Sequence, residues 1–89
     1  MNQQKVFEEE LRKEGFKEVY TWTDAPNVFY DAHTHESKTA HIIINGQMAL
    51  SMNGETKMYH SGDRIDVPAK TPHTAKMGPE GCTYVVGES

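Results

Sequence analysis

The pattern of hydrophobic and polar positions changes its period near Gly15. On the N-terminal side, Val6, Phe7 and Leu11 can share one face of a helix, and this spacing predicts a short helix over residues 3–14. Glycine readily adopts the left-handed conformation that ends many helices. We therefore expect the helix to stop at Gly15 and a different kind of structure to follow.

After Gly15 the chain consists of short runs rich in β-branched and aromatic residues, separated by turn-forming residues such as Asn53-Gly54. Within one run, Met48, Leu50 and Met52 alternate with polar or small residues, as they do on the buried face of a strand. The pattern predicts an antiparallel, all-β fold. The predicted strands, each placed to within a couple of residues, are Phe16–Thr23, Val28–His35, Ala40–Ile44, Gln47–Met52, Glu55–Tyr59, Arg64–Val67, His73–Met77 and Cys82–Val86.

The length of 89 residues predicts one domain, residues 1–89, with the helix in 1–15 and the β-structure in 16–89. A domain of this size buries only about 60–65% of the surface that its unfolded chain exposes. A thin core is commonly supplemented by disulfides, metal or self-association. Because Cys82 is the single cysteine, no intrachain disulfide can form, and metal binding and a homodimer remain.

Charge and hydropathy narrow the classes of partner. Nine Lys and Arg against 13 Asp and Glu give a net charge of −4, which offers no electrostatic reason to expect nucleic-acid binding. No apolar run approaches the roughly 20 residues that span a bilayer, and the polar N-terminus does not resemble a secretory signal. We expect a cytoplasmic protein that contacts neither nucleic acid nor membrane, and a single free cysteine fits a reducing compartment.

Three histidines are the candidate functional residues. His33 and His35 are two positions apart in a predicted strand, so their side chains are expected on the same face. His73 follows the segment Gly62–Pro68 and can join them if the strands close into a barrel. Three imidazoles in that arrangement predict a metal site. The alternative for such a pair is surface or hydrogen-bonded histidines without a metal.

The two histidine-containing segments resemble the two motifs of the cupin superfamily. The first runs from Asp31 to Gly46 and the second from Gly62 to His73, and the resemblance covers almost everything after Gly15. It implies a small double-stranded β-helix, the cupin or jelly-roll barrel, with a short N-terminal helix. It also implies that His33, His35 and His73 are metal ligands inside the barrel.

The sequence departs from the family pattern at two positions. Thr39 stands where the family usually has a metal-binding glutamate, and Lys70 stands where the second motif has a glycine. His41 is two residues beyond Thr39, so in a regular strand it points the same way and is a candidate fourth metal ligand. A bulge after Lys38 would instead turn the His41 side chain elsewhere.

Neutral imidazole ligands favour Zn, Fe, Ni, Co or Cu over Mg or Ca. We expect the cofactor to be a divalent transition metal: Zn, Fe, Ni, Mn, Co or Cu. The resemblance implies a metal-dependent enzyme of the dioxygenase, isomerase or decarboxylase type acting on a small oxygenated substrate. Two alternatives stay open. One is a non-catalytic module that binds or senses a sugar or carboxylate, and the other is a structural domain with a vestigial site.

Other residues have simpler predicted roles. Asp63 is expected to cap a turn, His60 to face solvent, and Cys82 to be a small buried hydrophobe. The aromatic residues of the first two strands are expected in the core, with a place in the lining of a ligand pocket as the alternative. These residues are Tyr20, Trp22, Phe29 and Tyr30.

Overall fold

The computed structural model describes residues 2–89, which begin with helix α1 (Gln3–Lys13). The Asn2 side chain accepts a hydrogen bond from the Gln4 backbone N–H at 2.9 Å, and Gly15 has φ +100° just after the helix. The predicted helix is thus confirmed, beginning at Gln3 as predicted and ending at Lys13, one residue earlier than predicted. Leu11 is completely buried, whereas Val6 is exposed and does not belong to the packed face.

Six strands follow within residues 2–89, and with one short helix they confirm the all-β prediction. Eight strands were predicted because the turn-forming residues at Asn45-Gly46 and at 78–81 were expected to end strands. Both segments instead continue a long strand through a bend. The strands are β1 (Glu18–Asp24), β2 (Phe29–His33), β3 (Thr39–Met52), β4 (Glu55–Tyr59), β5 (Arg64–Val67) and β6 (His73–Glu88).

The long strands β3 and β6 pair with each other, antiparallel, along most of their lengths. The first half of β3 also pairs with β5 and its second half with β4. The second half of β6 pairs with β1 and its first half with β2. Two layers result, β1-β6-β3-β5 and β2-β6-β3-β4, which share the two long strands. This is the predicted jelly-roll barrel.

The bend in both long strands depends on glycine. The register between β3 and β6 shifts on either side of Gly46, which has φ +82°. A Cβ atom at Gly46 would collide with the carbonyl oxygen of Gly81, which itself has φ +80°. Only glycine combines the left-handed conformation with this close approach of two backbones.

The strands alternate between two hydrophobic clusters. Ile43 belongs to the cluster inside the barrel, whereas its neighbour Ile42 belongs to the cluster between the first layer and α1. This alternation lets one layer bury both faces. The inner cluster comprises Ile43, Met48, Leu50, Ile65, Val67, Ala75, Met77, Cys82, Tyr84 and Val86, and the outer cluster Leu11, Phe16, Ala40, Ile42 and Val85.

Three smaller predictions are also confirmed. Asn53 and Gly54 form the predicted turn between β3 and β4, and both have the positive φ of a type I′ turn. Asp63 Oδ2 accepts a hydrogen bond from the His60 backbone N–H at 2.8 Å. Cys82 is 2% exposed, and burial raises the pKa of its thiol to about 11, as expected for a packing residue.

None of the helical structure in residues 2–89 has the length and apolar character that crossing a bilayer requires.

Candidate metal centre

His33, His35 and His73 come together at one end of the barrel. His33 is the last residue of β2 and His73 the first of β6, and the two are register partners. His35 lies beyond the end of β2, which stops two residues earlier than predicted, and its carbonyl accepts a hydrogen bond from the Lys70 N–H at 2.8 Å. One ligand atom from each of the three imidazoles lies within 4.8 Å of the others.

Backbone carbonyls fix the state of two of these rings. Nδ1 of His33 is 2.7 Å from the carbonyl oxygen of Asp31, and Nδ1 of His73 is 2.9 Å from that of Thr71. A carbonyl can only accept, so each Nδ1 must carry the hydrogen. Nε2 is then the nitrogen with the free lone pair, which is the arrangement of histidines that bind metals in proteins.

His35 completes the group, and among residues 2–89 its ring has no comparable hydrogen bond. Its ring centroid lies 5.0 Å from that of His33 and 5.0 Å from that of His73. Burial, together with the positive charge that His73 and His33 can acquire, lowers the pKa of His35 below its ordinary value. This shift favours the neutral form that a metal ligand needs.

His41 lies on β3 and lines the same cavity, but it does not belong to the group of three. Its ring packs near that of Tyr84, with 5.7 Å between the centroids, and burial lowers the pKa of His41 to about 4. Within residues 2–89, His41 Nδ1 and Thr39 Oγ1 are buried without a hydrogen-bond partner. Thr39, at the position of the family's glutamate, thus presents an unsatisfied hydroxyl in place of a carboxylate.

A cavity of about 490 Å³ extends from the three histidines between the two layers of the barrel. Met48, Leu50 and Met77 form part of its apolar lining. Such a cavity, mostly apolar with a few convergent polar groups, is typical of small-molecule sites.

The rim of this cavity is aromatic, which corrects the expectation that these residues belong to the core. Tyr20, Trp22 and Tyr30 line the cavity and are 38%, 52% and 36% exposed. Phe29 is 58% exposed and is not in the lining. The alternative from the sequence, a pocket lining, therefore describes three of the four. We call Tyr20, Trp22 and Tyr30 the aromatic rim.

Asp24 organises this side of the cavity and was missed in the sequence. It is 7% exposed and accepts hydrogen bonds from Trp22 Nε1 at 3.0 Å, Tyr30 Oη at 2.7 Å and Tyr84 Oη at 2.7 Å. Burial and the bond to Asp24 raise the pKa of Tyr84, so this phenol stays neutral. The alternation of Tyr20, Trp22 and Asp24 along β1 was the available signal, since it places all three on one face.

Comparison with known families agrees with this fold. The model of the cupin domain matches residues 20–86, three quarters of the chain. The chain belongs to the cupin family. All three histidines of the candidate metal centre lie within the matched region of this cupin.

Individual proteins match this cupin over only part of their length or at low sequence identity. Acireductone dioxygenase of Alcanivorax borkumensis is 36% identical over 56 residues, which are 58% of this cupin and 31% of that protein. KdgF of a Halomonas species has a TM-score of 0.68 at 18% identity, covering 79% of this cupin and 66% of that chain. An RmlC-like cupin of Shewanella frigidimarina has a TM-score of 0.73 at 20% identity, covering 80% and 63%. This cupin thus spans about a third of the dioxygenase and less than two thirds of either structure.

Proposed function

We propose that this cupin binds a divalent transition metal through His33, His35 and His73 and is a metal-dependent enzyme for a small oxygenated substrate. The observation that supports this most directly is the convergence of three imidazoles within 4.8 Å at a cavity of about 490 Å³. Held there, such a metal supplies Lewis acidity toward an oxygen of the substrate. Neutral ligands leave its charge uncompensated, which favours an anionic oxygen.

The other side chains of the cavity would exclude water and form hydrogen bonds with the substrate. Met48, Leu50 and Met77 exclude water from the region beside the histidines, which strengthens every polar interaction made there. Asp24 fixes the hydroxyls of Tyr30 and Tyr84 as donors to itself, so the lone pairs of the two phenol oxygens can accept hydrogen bonds from a substrate.

Similarity to an acireductone dioxygenase over 56 residues supports an oxidative reaction among the three types that the resemblance implies. Because the similarity covers 31% of that protein, its substrate is only the first compound to test here. Ligation by His41 remains a prediction. The variant His41→Phe tests it, since loss of a true fourth ligand would lower the metal affinity.

The experiment is elemental analysis of protein purified without chelator, followed by thermal denaturation with Zn, Fe, Ni, Mn, Co or Cu added. We expect stoichiometric metal and a higher Tm, because a ligand that binds only the folded state stabilises it, by about 2.7 kcal/mol at a hundred times its Kd. His73→Ala should lose both effects, and His60→Ala, which changes an exposed histidine outside the group, should keep them.

Metal-free protein that no added metal stabilises would contradict the metal centre. If metal binds, turnover by the metal-loaded protein is measured as oxygen consumption and by product analysis. The substrates to test are acireductone-type ene-diols and other small hydroxy-carbonyl compounds. Turnover by the wild type that is lost in a correctly folded His73→Ala variant supports an enzymatic function. Metal binding with ligand binding but without turnover would favour the non-catalytic binding module.

The proposal includes a cytoplasmic homodimer. Support for self-association comes from the thin core and from β1, which lies at the edge of its layer and, in the part of the chain that the structure describes, pairs with β6 alone. Light scattering after size-exclusion chromatography distinguishes a dimer from the 10.1 kDa monomer.

A further inference from the structure

The cavity has an acidic and aromatic side opposite its apolar lining. Glu18, Tyr20 and Trp22 occupy alternate positions of β1 and all line the cavity, as does Glu88 on the neighbouring strand β6. Glu18 and Glu88 are register partners, so the two carboxylates start from directly opposed backbone positions. We call Glu18 and Glu88 the carboxylate pair.

Within residues 2–89 the carboxylate pair has no salt-bridge partner, although Glu88 is near enough to His35 to oppose the lowering of the pKa of that histidine. Like charges directly opposite each other destabilise a sheet. The Glu88 carboxylate accepts a hydrogen bond from the Tyr20 hydroxyl at 2.7 Å, and that donor is neutral. The arrangement leaves negative charge at the cavity for a cation to neutralise.

The neighbouring aromatic rings are held with their faces available. The Tyr20 hydroxyl is bound to Glu88 and Trp22 Nε1 to Asp24 at 3.0 Å, so each ring uses its polar atom to fix its orientation. Their exposed fractions, 38% and 52%, leave ring surface free at the cavity. Aromatic faces attract cations through the quadrupole of the ring, and nearby carboxylates add to this attraction.

Thr39 gives an independent indication that a ligand enters here. It lines the cavity, is 2% exposed and is the β3 register partner of Glu88. Within residues 2–89 its hydroxyl has no hydrogen-bond partner. A buried hydroxyl without a partner is unfavourable, so a polar group supplied by a bound molecule would stabilise the site.

We infer that the cavity binds a small organic cation, whose ammonium group contacts Tyr20 and Trp22 beside the carboxylate pair while its oxygen-bearing end lies toward Thr39 and the histidines. The molecule is thus an amino alcohol, an amino acid derivative or a betaine rather than a plain carboxylic acid. The inference rests on the proposed function only for the oxygen-bearing end. The cation subsite consists of residues outside the candidate metal centre.

The test uses metal-free protein, so that its outcome does not depend on the metal centre. Calorimetric titration compares choline with 3,3-dimethylbutan-1-ol, in which carbon replaces the charged nitrogen at nearly the same size. We expect choline to bind about tenfold more tightly, as charge and cation–π attraction predict. Equal affinity for the two compounds, or no binding of choline, would overturn the inference. Metal binding, measured separately, would be unaffected by that result.

Variants locate the effect. Glu18→Gln combined with Glu88→Gln should bring the preference for choline to within about twofold, and Tyr20→Leu should weaken choline more than the neutral alcohol. The matched control is Glu55→Gln with Glu80→Gln, which removes the same charge from residues outside the cavity lining. Circular dichroism and the Tm show that each variant folds. A preference that survives the loss of the carboxylate pair would place the cation elsewhere and refute the inference.

Discussion

His33 and His73 are register partners at adjoining ends of β2 and β6, and their ring centroids are 4.3 Å apart. Each ring bonds through Nδ1 to the backbone carbonyl two residues before it, that of Asp31 and that of Thr71. The two strands therefore present both imidazoles in the same tautomer. Because the constraint is made by backbone atoms, it exists before any ligand arrives.

The first prediction concerns this tautomer. In metal-free protein near pH 8, nitrogen-15 NMR of the imidazoles should show His33 and His73 protonated at Nδ1 and unprotonated at Nε2. His60 is the comparison, because its ring is exposed, lies no closer than 4.0 Å to the Asp63 carboxylate and has no backbone carbonyl bound to Nδ1 within residues 2–89. A hydrogen on Nε2 of either His33 or His73 would contradict the preorganised arrangement.

The sequence was sufficient to place His33 and His35 on one face, because strand alternation is a local property, whereas their meeting with His73 was predicted from the resemblance to the cupin motifs. It was insufficient for Asp24, whose bond to Tyr84 joins residues 60 positions apart and depends on the register of β1 and β6. The position of Lys70 illustrates the same limit. Its φ of +60° accounts for the glycine usual at this position, yet the local sequence around lysine gives no sign of it.

The prediction that β3 and β6 would each be two strands failed for a related reason. Glycine and asparagine at positions 45–46 are typical of a turn that ends a strand. Pairing with a long partner strand outweighed this local tendency, and the chain bends at Gly46 while Ile43, Asn45 and Met48 stay in register with β6. The aromatic residues on β1 were predicted in the core because the sequence does not show where the cavity lies. Tyr20 and Trp22 line that cavity and are exposed.

The second prediction is that the free energy of unfolding depends on pH because of His41. Its pKa is about 4 in the folded protein and about 6.5 in the unfolded chain. Between these values the unfolded state binds the proton and the folded state does not, so stability falls as pH decreases. The contribution of His41 to the free energy of unfolding should therefore drop by about 3 kcal/mol from pH 7 to pH 4.

Urea denaturation of metal-free protein measures this effect by comparison with His41→Phe, because the titration of all other groups largely cancels in the difference. The stability of the wild type relative to the variant should decline through that pH range and be constant above pH 7.5. A constant difference at every pH would show that His41 is accessible to protons in the folded protein.

The third prediction concerns the bonds that Asp24 accepts. Asp24→Asn keeps the shape but removes the negative charge and leaves one oxygen for Trp22, Tyr30 and Tyr84. Hydrogen bonds to charged groups contribute about 1.5–3 kcal/mol each, so we expect a loss of about 2 kcal/mol or more. Urea denaturation followed by tryptophan fluorescence reports both stability and the environment of Trp22.

Tyr30→Phe is the control for Asp24→Asn, because it removes one of the three donors from a partly exposed residue and should cost less than about 1.5 kcal/mol. If Asp24→Asn proved no more destabilising than Tyr30→Phe, the carboxylate would not be the organiser of this side of the cavity.

The fourth prediction tests the bend that brings the two layers together around the site. Gly46→Ala places a Cβ against the Gly81 carbonyl oxygen and imposes a side chain on φ +82°. The left-handed conformation alone costs a non-glycine residue about 1–2 kcal/mol. We expect the backbone collision to raise the total above about 2 kcal/mol in urea denaturation.

Gly54→Ala is the control. Gly54 has a similar φ of +77° but open space around the added atom, so the substitution should cost only about 1 kcal/mol. Equal losses in the two variants would mean that conformation alone, and not the close approach of β3 and β6, requires glycine at the bend.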